Sequence, residues 1–558
     1  MRILFLTHSF NSLSQRLYLE LTGRGHEVSV EFDISDAVTL EAVAMYRPDL
    51  IVAPFLKRAI PEEIWRKQVC LIVHPGIRGD RGPSALDWAI LNGEQEWGVT
   101  VLQAAAEMDA GDIWASANFP MRAASKGSLY RNEVTEAAAV AVLEAVEKFE
   151  AGGSPEPLDD ARPDVRGQWR PAMRQEDRAI DWRNDDTATV LRKIRSADGF
   201  PGVLDEVLGM ACYLYDAHPE DGLRGVPGEV IARCNGMICR ATADGAVWIG
   251  HLKKKQEGEP EFKLPAVQVL GERLAGVAET GGDWRDIRYE EKNGVGYLHF
   301  ELYNGAMGTA QCGRLLQAYQ GAIRRDTKVI VLAGGADFWS NGLDLNLIEA
   351  ADSPADESWR NINAMNDLAR AILATDSHLI VSALQGNAGA GGVFLALAAD
   401  RVVAREGVVL NPHYKAMGNL YGSEYWTYLL PRRVGEERAG EITGNRLPVG
   451  ARQAKELGLI DDCFGGDAAS FRCGVEALAE SLAADAPALL AEKRAERRRD
   501  EAGKPLAAYR AEELAQMKRN FYGFDPSYHV ARYNFVHKVP HSRTPRHLAL
   551  HRRIGSLN

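Results

Sequence analysis

Leu71-Ile72-Val73-His74-Pro75-Gly76-Ile77-Arg78-Gly79-Asp80-Arg81-Gly82-Pro83 passes from an apolar run into a loop of glycine, arginine and proline, with a histidine at the join. The apolar run reads as a buried parallel strand. It is the fourth of its kind, after Ile3-Leu4-Phe5-Leu6, Val28-Ser29-Val30 and Leu50-Ile51-Val52-Ala53. Between these runs, Leu13 to Thr22 and Ala37 to Tyr46 carry helical spacing. Strands alternating with helices predict a doubly wound α/β sheet. His74 then stands at a strand's C-terminal end, where open α/β sheets place ligands. Taken alone, it reads as a hydrogen-bonded structural histidine; its position and the Gly/Arg-rich loop behind it turn the reading toward a site.

Outward from this stretch, a long helix is expected from Asn132 to Glu150, stopped by Gly152-Gly153. Ser154-Pro155-Glu156-Pro157 reads as a linker. Residues 165–278 hold one helical stretch, Thr187 to Arg195, and short strand-like runs such as Ala246-Val247-Trp248-Ile249. That mixture predicts a small, mostly β middle domain. The α/β pattern restarts near Ile287, with Tyr297-Leu298-His299-Phe300, Val329 to Ala333 and Leu379-Ile380-Val381-Ser382 as strands. Beyond about residue 485 the chain turns basic and helical, Lys493 to Arg499, and ends in a His/Arg-rich tail. Four regions are therefore expected: 1–155, 165–278, 285–485 and 486–558.

With 558 residues, one hydrophobic core is excluded. A formal charge of −12 argues against a nucleic-acid or anionic-membrane protein. Seven cysteines without metal-ligand spacing suit a reducing compartment, and no metal site is expected; Cys234 and Cys239 make a weak zinc signal. Met1 to Leu6 is too short for a signal-peptide core, and no apolar run approaches membrane-spanning length. A soluble, cytoplasmic protein is expected.

His74, Arg81-Gly82 and Asp109-Ala110-Gly111 follow one another in the order found in transferases and hydrolases that use 10-formyltetrahydrofolate, and the segment resembles that family. The resemblance implies that His74 polarises the formyl oxygen and meets the tetrahedral oxyanion, while Asp109 orients it. Asp112 competes for the carboxylate role. Phe55, Leu56 and Lys57 match the strand-end loop that holds the pterin, with Arg81 beside it. One departure stands out. Many members carry asparagine two residues before the histidine, where this chain has Ile72. Ile180-Asp181-Trp182, the following helix and Phe200-Pro201-Gly202 resemble the small C-terminal domain of methionyl-tRNA formyltransferase. Lys253-Lys254-Lys255 alone is too small a basic cluster to expect tRNA binding.

A second constellation joins Phe338-Trp339-Ser340-Asn341-Gly342-Leu343-Asp344 to Gly386-Asn387-Ala388-Gly389-Ala390-Gly391-Gly392. Glycines at this density let the backbone approach a ligand and expose amide donors. Neither loop has dinucleotide or P-loop spacing. Together they resemble the crotonase (enoyl-CoA hydratase/isomerase) superfamily. The resemblance implies an oxyanion hole from the amides of Leu343 and Gly391, and coenzyme A contacts at Asn304, Ala306, Met307, Gly342 and Asp344. Hydratases carry two catalytic glutamates at positions that are Phe394 and Tyr414 here. Tyr414 and Glu424 become the catalytic candidates, beside His413.

Both modules in one chain resemble a family of hydrogenase maturation factors. That resemblance implies formyl transfer from N10-formyltetrahydrofolate to coenzyme A, then decarbonylation of formyl-CoA to carbon monoxide. The partners implied are small molecules, with transient contact to hydrogenase maturation proteins. Two alternatives stay open: a hydrolase releasing formate, and a scaffold that holds folate or coenzyme A without turnover. Crotonases often form trimers, an interface the basic extension is placed to cap.

Overall fold

The computed structural model describes residues 1–159, 161–163, 165–256, 262–282 and 284–554. The chain divides into two units, Met1–Trp284 with His541–Asn558, and Arg285–Pro540.

In the first unit the four apolar runs become strands β1 (Arg2–Thr7), β2 (Glu27–Phe32), β3 (Leu50–Phe55) and β4 (Cys70–His74), and β5 (Glu96–Gln103) and β6 (Ile113–Pro120) extend the sheet. The order is β2-β1-β3-β4-β5-β6. The first four strands run parallel, and β5 and β6 are antiparallel. The chain reverses its direction of travel across the sheet between β1 and β3, which opens a crevice at their C-terminal ends. Asn11 starts the first helix, Ser12–Gly23, by accepting from the Ser14 amide. The expected linker is not free: Glu156 exchanges two backbone hydrogen bonds with Ile113, 2.7 and 2.8 Å, at the edge of β6.

The middle region is the expected small β domain. Strands β7 (Val203–Val207), β8 (Met210–Glu220), β9 (Val230–Cys234), β10 (Met237–Ala241) and β11 (Ala246–Lys254) form an antiparallel sheet ordered β7-β8-β11-β10-β9. Helix Thr187–Ala197, capped by Asp186, buries Val190, Leu191 and Ile194 in its core.

The chain's end returns to this first unit. Leu548 O accepts from Val30 N at 3.0 Å, Thr544 Oγ1 accepts from Phe32 N at 2.8 Å, and His551 Nε2 meets the buried Glu31 at 2.8 Å. The tail thus covers the outer strand β2, whose unpaired edge would otherwise be exposed. The expected single extension 486–558 is thereby divided: helices Ala486–Gly503, Leu506–Tyr522 and Ser527–Val536 lie in the second unit, and the residues from His541 onward lie in the first.

The second unit is built on a six-stranded sheet of β12 (Ile287–Lys292), β13 (Val295–Phe300), β14 (Val329–Gly334), β15 (Leu379–Leu384), β16 (Arg401–Arg405) and β17 (Asp462–Phe464), adjacent in that order. All but the first run parallel. Continuous apolar runs are needed here because both faces are covered. Ile330 and Leu332 enter one core, while Val329 and Val331 enter another with Phe471, Val475 and Ala479 of helix Ala468–Ala484. Lys493, the first residue of the basic helical stretch, is buried; its ammonium donates to His378 O at 2.8 Å and Asp400 at 2.5 Å. Desolvation of a charge on this scale requires such partners.

Candidate active sites

His74 closes β4 at the mouth of the first sheet and is 4% exposed. Its Nε2 lies 3.0 Å from Asp80 Oδ2, and its Nδ1 lies 3.5 Å from Asp109 Oδ2. The ring is therefore held between two carboxylates, one from the loop that follows it and one from the Asp109-Ala110-Gly111 turn. Gly76 makes the first approach possible, since a methyl group there would stand 2.3 Å from Nε2. Gly111 makes the second, since a methyl group there would stand 1.8 Å from Gln103 O. Asp109 itself takes a left-handed φ of 55° and accepts from the Gly82 amide at 3.2 Å. Asp112, the rival carboxylate, is exposed.

Asp80 was not singled out from the sequence. It is buried, and its Oδ1 has no hydrogen-bond partner among the described residues. The Asp-Arg-Gly run that contains it looked like ordinary loop, and only the turn brings it onto the ring. At the crevice between β1 and β3, Phe55 O accepts from His8 N at 2.7 Å and from Thr7 Oγ1 at 3.1 Å. Asp33 accepts from the Lys57 amide at 3.1 Å and faces His8 Nδ1 at 2.9 Å. Phe55 and Leu56 are half-buried and Lys57 is exposed. Asp33 is a second residue the sequence did not flag. Arg81 turns its guanidinium to Glu107 at 3.3 Å, while its backbone is bridged to Trp169. Ile72 packs its side chain against the apolar cluster of Leu4, Ile51 and Cys70.

In the second unit, the two glycine loops converge. A methyl group on Gly342, at φ 83°, would lie 3.3 Å from the amide nitrogen of Gly391. One on Gly391 would lie 2.4 Å from Glu424 Oε1. Glu424 is 1% exposed, and Oε1 has no partner among the described residues. Its other oxygen accepts from the Tyr414 phenol at 2.5 Å, and the same phenol reaches Ser423 O at 3.0 Å. Burial pushes the Glu424 carboxyl up to about 8 against the opposing Tyr414 hydrogen bond. Burial, with the Glu424 charge behind it, pushes Tyr414 well above the usual phenol range.

Phe394 and Tyr414, the two positions expected to stand where hydratases carry glutamates, face one another. Phe394 and Tyr414 stack with centroids 5.3 Å apart and planes at 18°. Gly422 leaves room for the Tyr414 ring, which a methyl group there would meet at 2.1 Å. Asn304, at φ 55°, and Gly305 accept from Asn341. Ala306–Met307 pairs in parallel with Gly342–Leu343, which places the expected coenzyme A segment against the first glycine loop. The Met307 side chain is buried, so its backbone and half-buried Ala306 face the loop. Asp344 spends Oδ1 on the amides of Asn346 and Leu347, capping helix Leu345–Glu349. His413 is buried one residue before Tyr414.

No group of three His, Cys, Asp or Glu side chains among the described residues is arranged to hold a metal ion. No helix among them is long and apolar enough to cross a membrane.

Comparison with known proteins follows the same division. Residues 2–146 match the formyl transferase family, residues 172–262 match the formyl transferase C-terminal domain, and residues 290–536 match the enoyl-CoA hydratase/isomerase family. A methionyl-tRNA formyltransferase of Citrifermentans bemidjiense is 27% identical over 248 residues, 44% of this chain and 74% of its own. The class is thus a formyltransferase joined to an enoyl-CoA hydratase-like module. Over its whole length the chain resembles the hydrogenase maturation factor HoxX of Bradyrhizobium diazoefficiens, at 57% identity over 99% of this chain and 97% of that one. It also resembles HypX from Aquifex aeolicus, crystallised with tetrahydrofolic acid, with TM-score 0.95, 53% identity and 99% of each chain covered. The chain belongs to the HoxX/HypX family of hydrogenase maturation factors.

Proposed function

We propose that this chain makes carbon monoxide from the formyl group of N10-formyltetrahydrofolate, by way of formyl-CoA. The observation that carries the reading is the buried Glu424–Tyr414 pair, with Glu424 Oε1 beside the Gly391 backbone and unpartnered among the described residues.

In the first site, a coenzyme A thiol attacks the formyl carbon, the bond to folate N10 breaks and the thiol proton ends on N10. Asp80 holds the His74 ring at Nε2, and Nδ1, 3.5 Å from Asp109, faces the oxyanion. Asp109 stands beside it for the proton transfer. Phe55, Leu56, Lys57 and Arg81 line the folate approach. In the second site, the Leu343 and Gly391 amides hold the formyl oxygen. Asn304, Ala306, Met307, Gly342 and Asp344 form the adjoining coenzyme A wall, chiefly through backbone. Glu424 Oε1 takes the formyl proton; the C–H electrons become the carbon lone pair of CO, the C–S electrons go to sulfur, and the proton returns to the thiolate.

Tyr414 suits a relay. Its single proton has two acceptors, Ser423 O and Glu424 Oε2. It turns to Oε2 while Glu424 is ionised, and to Ser423 O once Glu424 is protonated. The hydratase reaction is disfavoured because Phe394 offers no carboxylate. Glu424→Gln is expected to lower CO release by about 10⁴-fold and to leave formyl loss from folate intact. Unchanged CO release in that variant overturns the assignment.

A further inference from the structure

Glu513, on helix Leu506–Tyr522, is 0% exposed. A buried carboxylate is tolerated only where donors satisfy it. Its donors all come from one turn: Tyr425 N at 3.0 Å and Ser423 Oγ at 3.2 Å on Oε2, Thr427 Oγ1 at 2.6 Å and Thr427 N at 2.9 Å on Oε1.

That turn carries Glu424. Glu424 and Tyr425 have φ values of 57° and 61°, two consecutive left-handed residues of which neither is glycine, asparagine or aspartate. Such a backbone persists only where its surroundings over-determine it. Asn366, from helix Pro354–Ala374, accepts from the Glu424 amide at 2.8 Å. Glu513 holds the following residues from the other helix. Between them they hold the turn with Glu424 Oε1 against Gly391.

We propose that Glu513 is a positioning residue for the second site: by clamping the Ser423–Thr427 turn, it fixes where the Glu424 carboxylate points. The inference deepens the decarbonylase reading and rests on Glu424 as its base. Glu513 touches no reacting atom; it acts through the backbone of the turn, and through its charge, which disfavours ionisation of Glu424. The other ionisable groups around the turn are Tyr414 and Tyr421 preceding it, Arg510 on Glu513's own helix, Lys504 before that helix, Arg370 on helix Pro354–Ala374 and Cys312 on helix Thr309–Ala322. All of them are kept in the test variants.

The test is Glu513→Gln in the full chain, assayed with formyl-CoA. A glutamine keeps the volume but offers one accepting oxygen, so one side of the clamp meets an NH2 group. A displaced base lowers kcat for CO release by about 100-fold, with KM for formyl-CoA unchanged. Loss of the neighbouring charge moves the acid limb of the pH profile to lower pH, an effect that a general loss of stability does not produce. Formyl loss from folate at the first site keeps its rate. Wild-type kcat and an unmoved limb overturn the proposal. Should Glu513→Gln not fold, Thr427→Val decides: it deletes one donor of the clamp, and kcat is expected to fall about tenfold, whereas full activity overturns the proposal. If the wild-type protein itself makes no CO, the decarbonylase reading fails separately. A crystal structure of either variant then decides the clamp: Glu424 Oε1 leaving Gly391 supports it, and an unmoved turn refutes it.

Discussion

The His74 site and the Glu424 site are built from opposite materials. The first is an imidazole ring between two carboxylates at the mouth of an open sheet. The second is an acid and a phenol sealed among aromatic rings and glycine backbone, with Glu424 at 1% exposure. Under the proposed function both must hold charge on a formyl oxygen, one with a side chain and the other with amides. The difference follows from what each must do next. Formyl transfer needs proton traffic with a leaving amine, which ionisable side chains in a crevice supply. Decarbonylation needs a base strong enough to take a C–H proton, and burial strengthens a carboxylate by disfavouring its charged form.

The contrast can be broken at either end. After Glu424→Gln, the largest effect is expected from His74→Gln, which keeps a neutral donor but loses the ring. It should lower formyl transfer by about 10³-fold while added formyl-CoA still yields CO, as measured by separate assays of the two steps. Equal loss in both assays would dissolve the division of labour. Tyr414→Phe, which keeps the stack on Phe394, should lower CO release by about 100-fold without changing formyl transfer. The smallest effect is in pH. Glu424 acts as base only when ionised, and burial places that ionisation near 8. The kcat/KM for formyl-CoA should therefore rise through a half-maximum near that pH. In Glu424→Asp the limb should move; an identical limb would assign it elsewhere.

Legibility in the sequence followed chain distance and chemistry. Strands β1 to β4 and β13 to β15 were readable because parallel, doubly covered strands require unbroken apolar runs such as Val329 to Leu332, whereas β5, β6, β12, β16 and β17 were not singled out. His74 drew notice through its strand end and the glycine loop behind it, whereas Asp109 was named only through the family resemblance, and the structure brings the two within 3.5 Å. Asp80, only six residues from His74, was lost inside an ordinary-looking loop. Glu513 left no mark at all: it sits in a charged helix and meets its turn across 86 to 90 residues of chain. Tertiary packing alone makes that carboxylate different from its exposed neighbour Glu512. The tail gave the same lesson: nothing in its His/Arg-rich composition marks His551, which is buried on Glu31.

The fate of one carbon atom separates carbon monoxide release from formate release. Purified protein supplied with coenzyme A and N10-formyltetrahydrofolate labelled with ¹³C in the formyl group should transfer that label to CO, captured on ferrous haem and read by its infrared band. Label recovered wholly as formate, with no haem-bound ¹³CO, would contradict the proposed release of carbon monoxide.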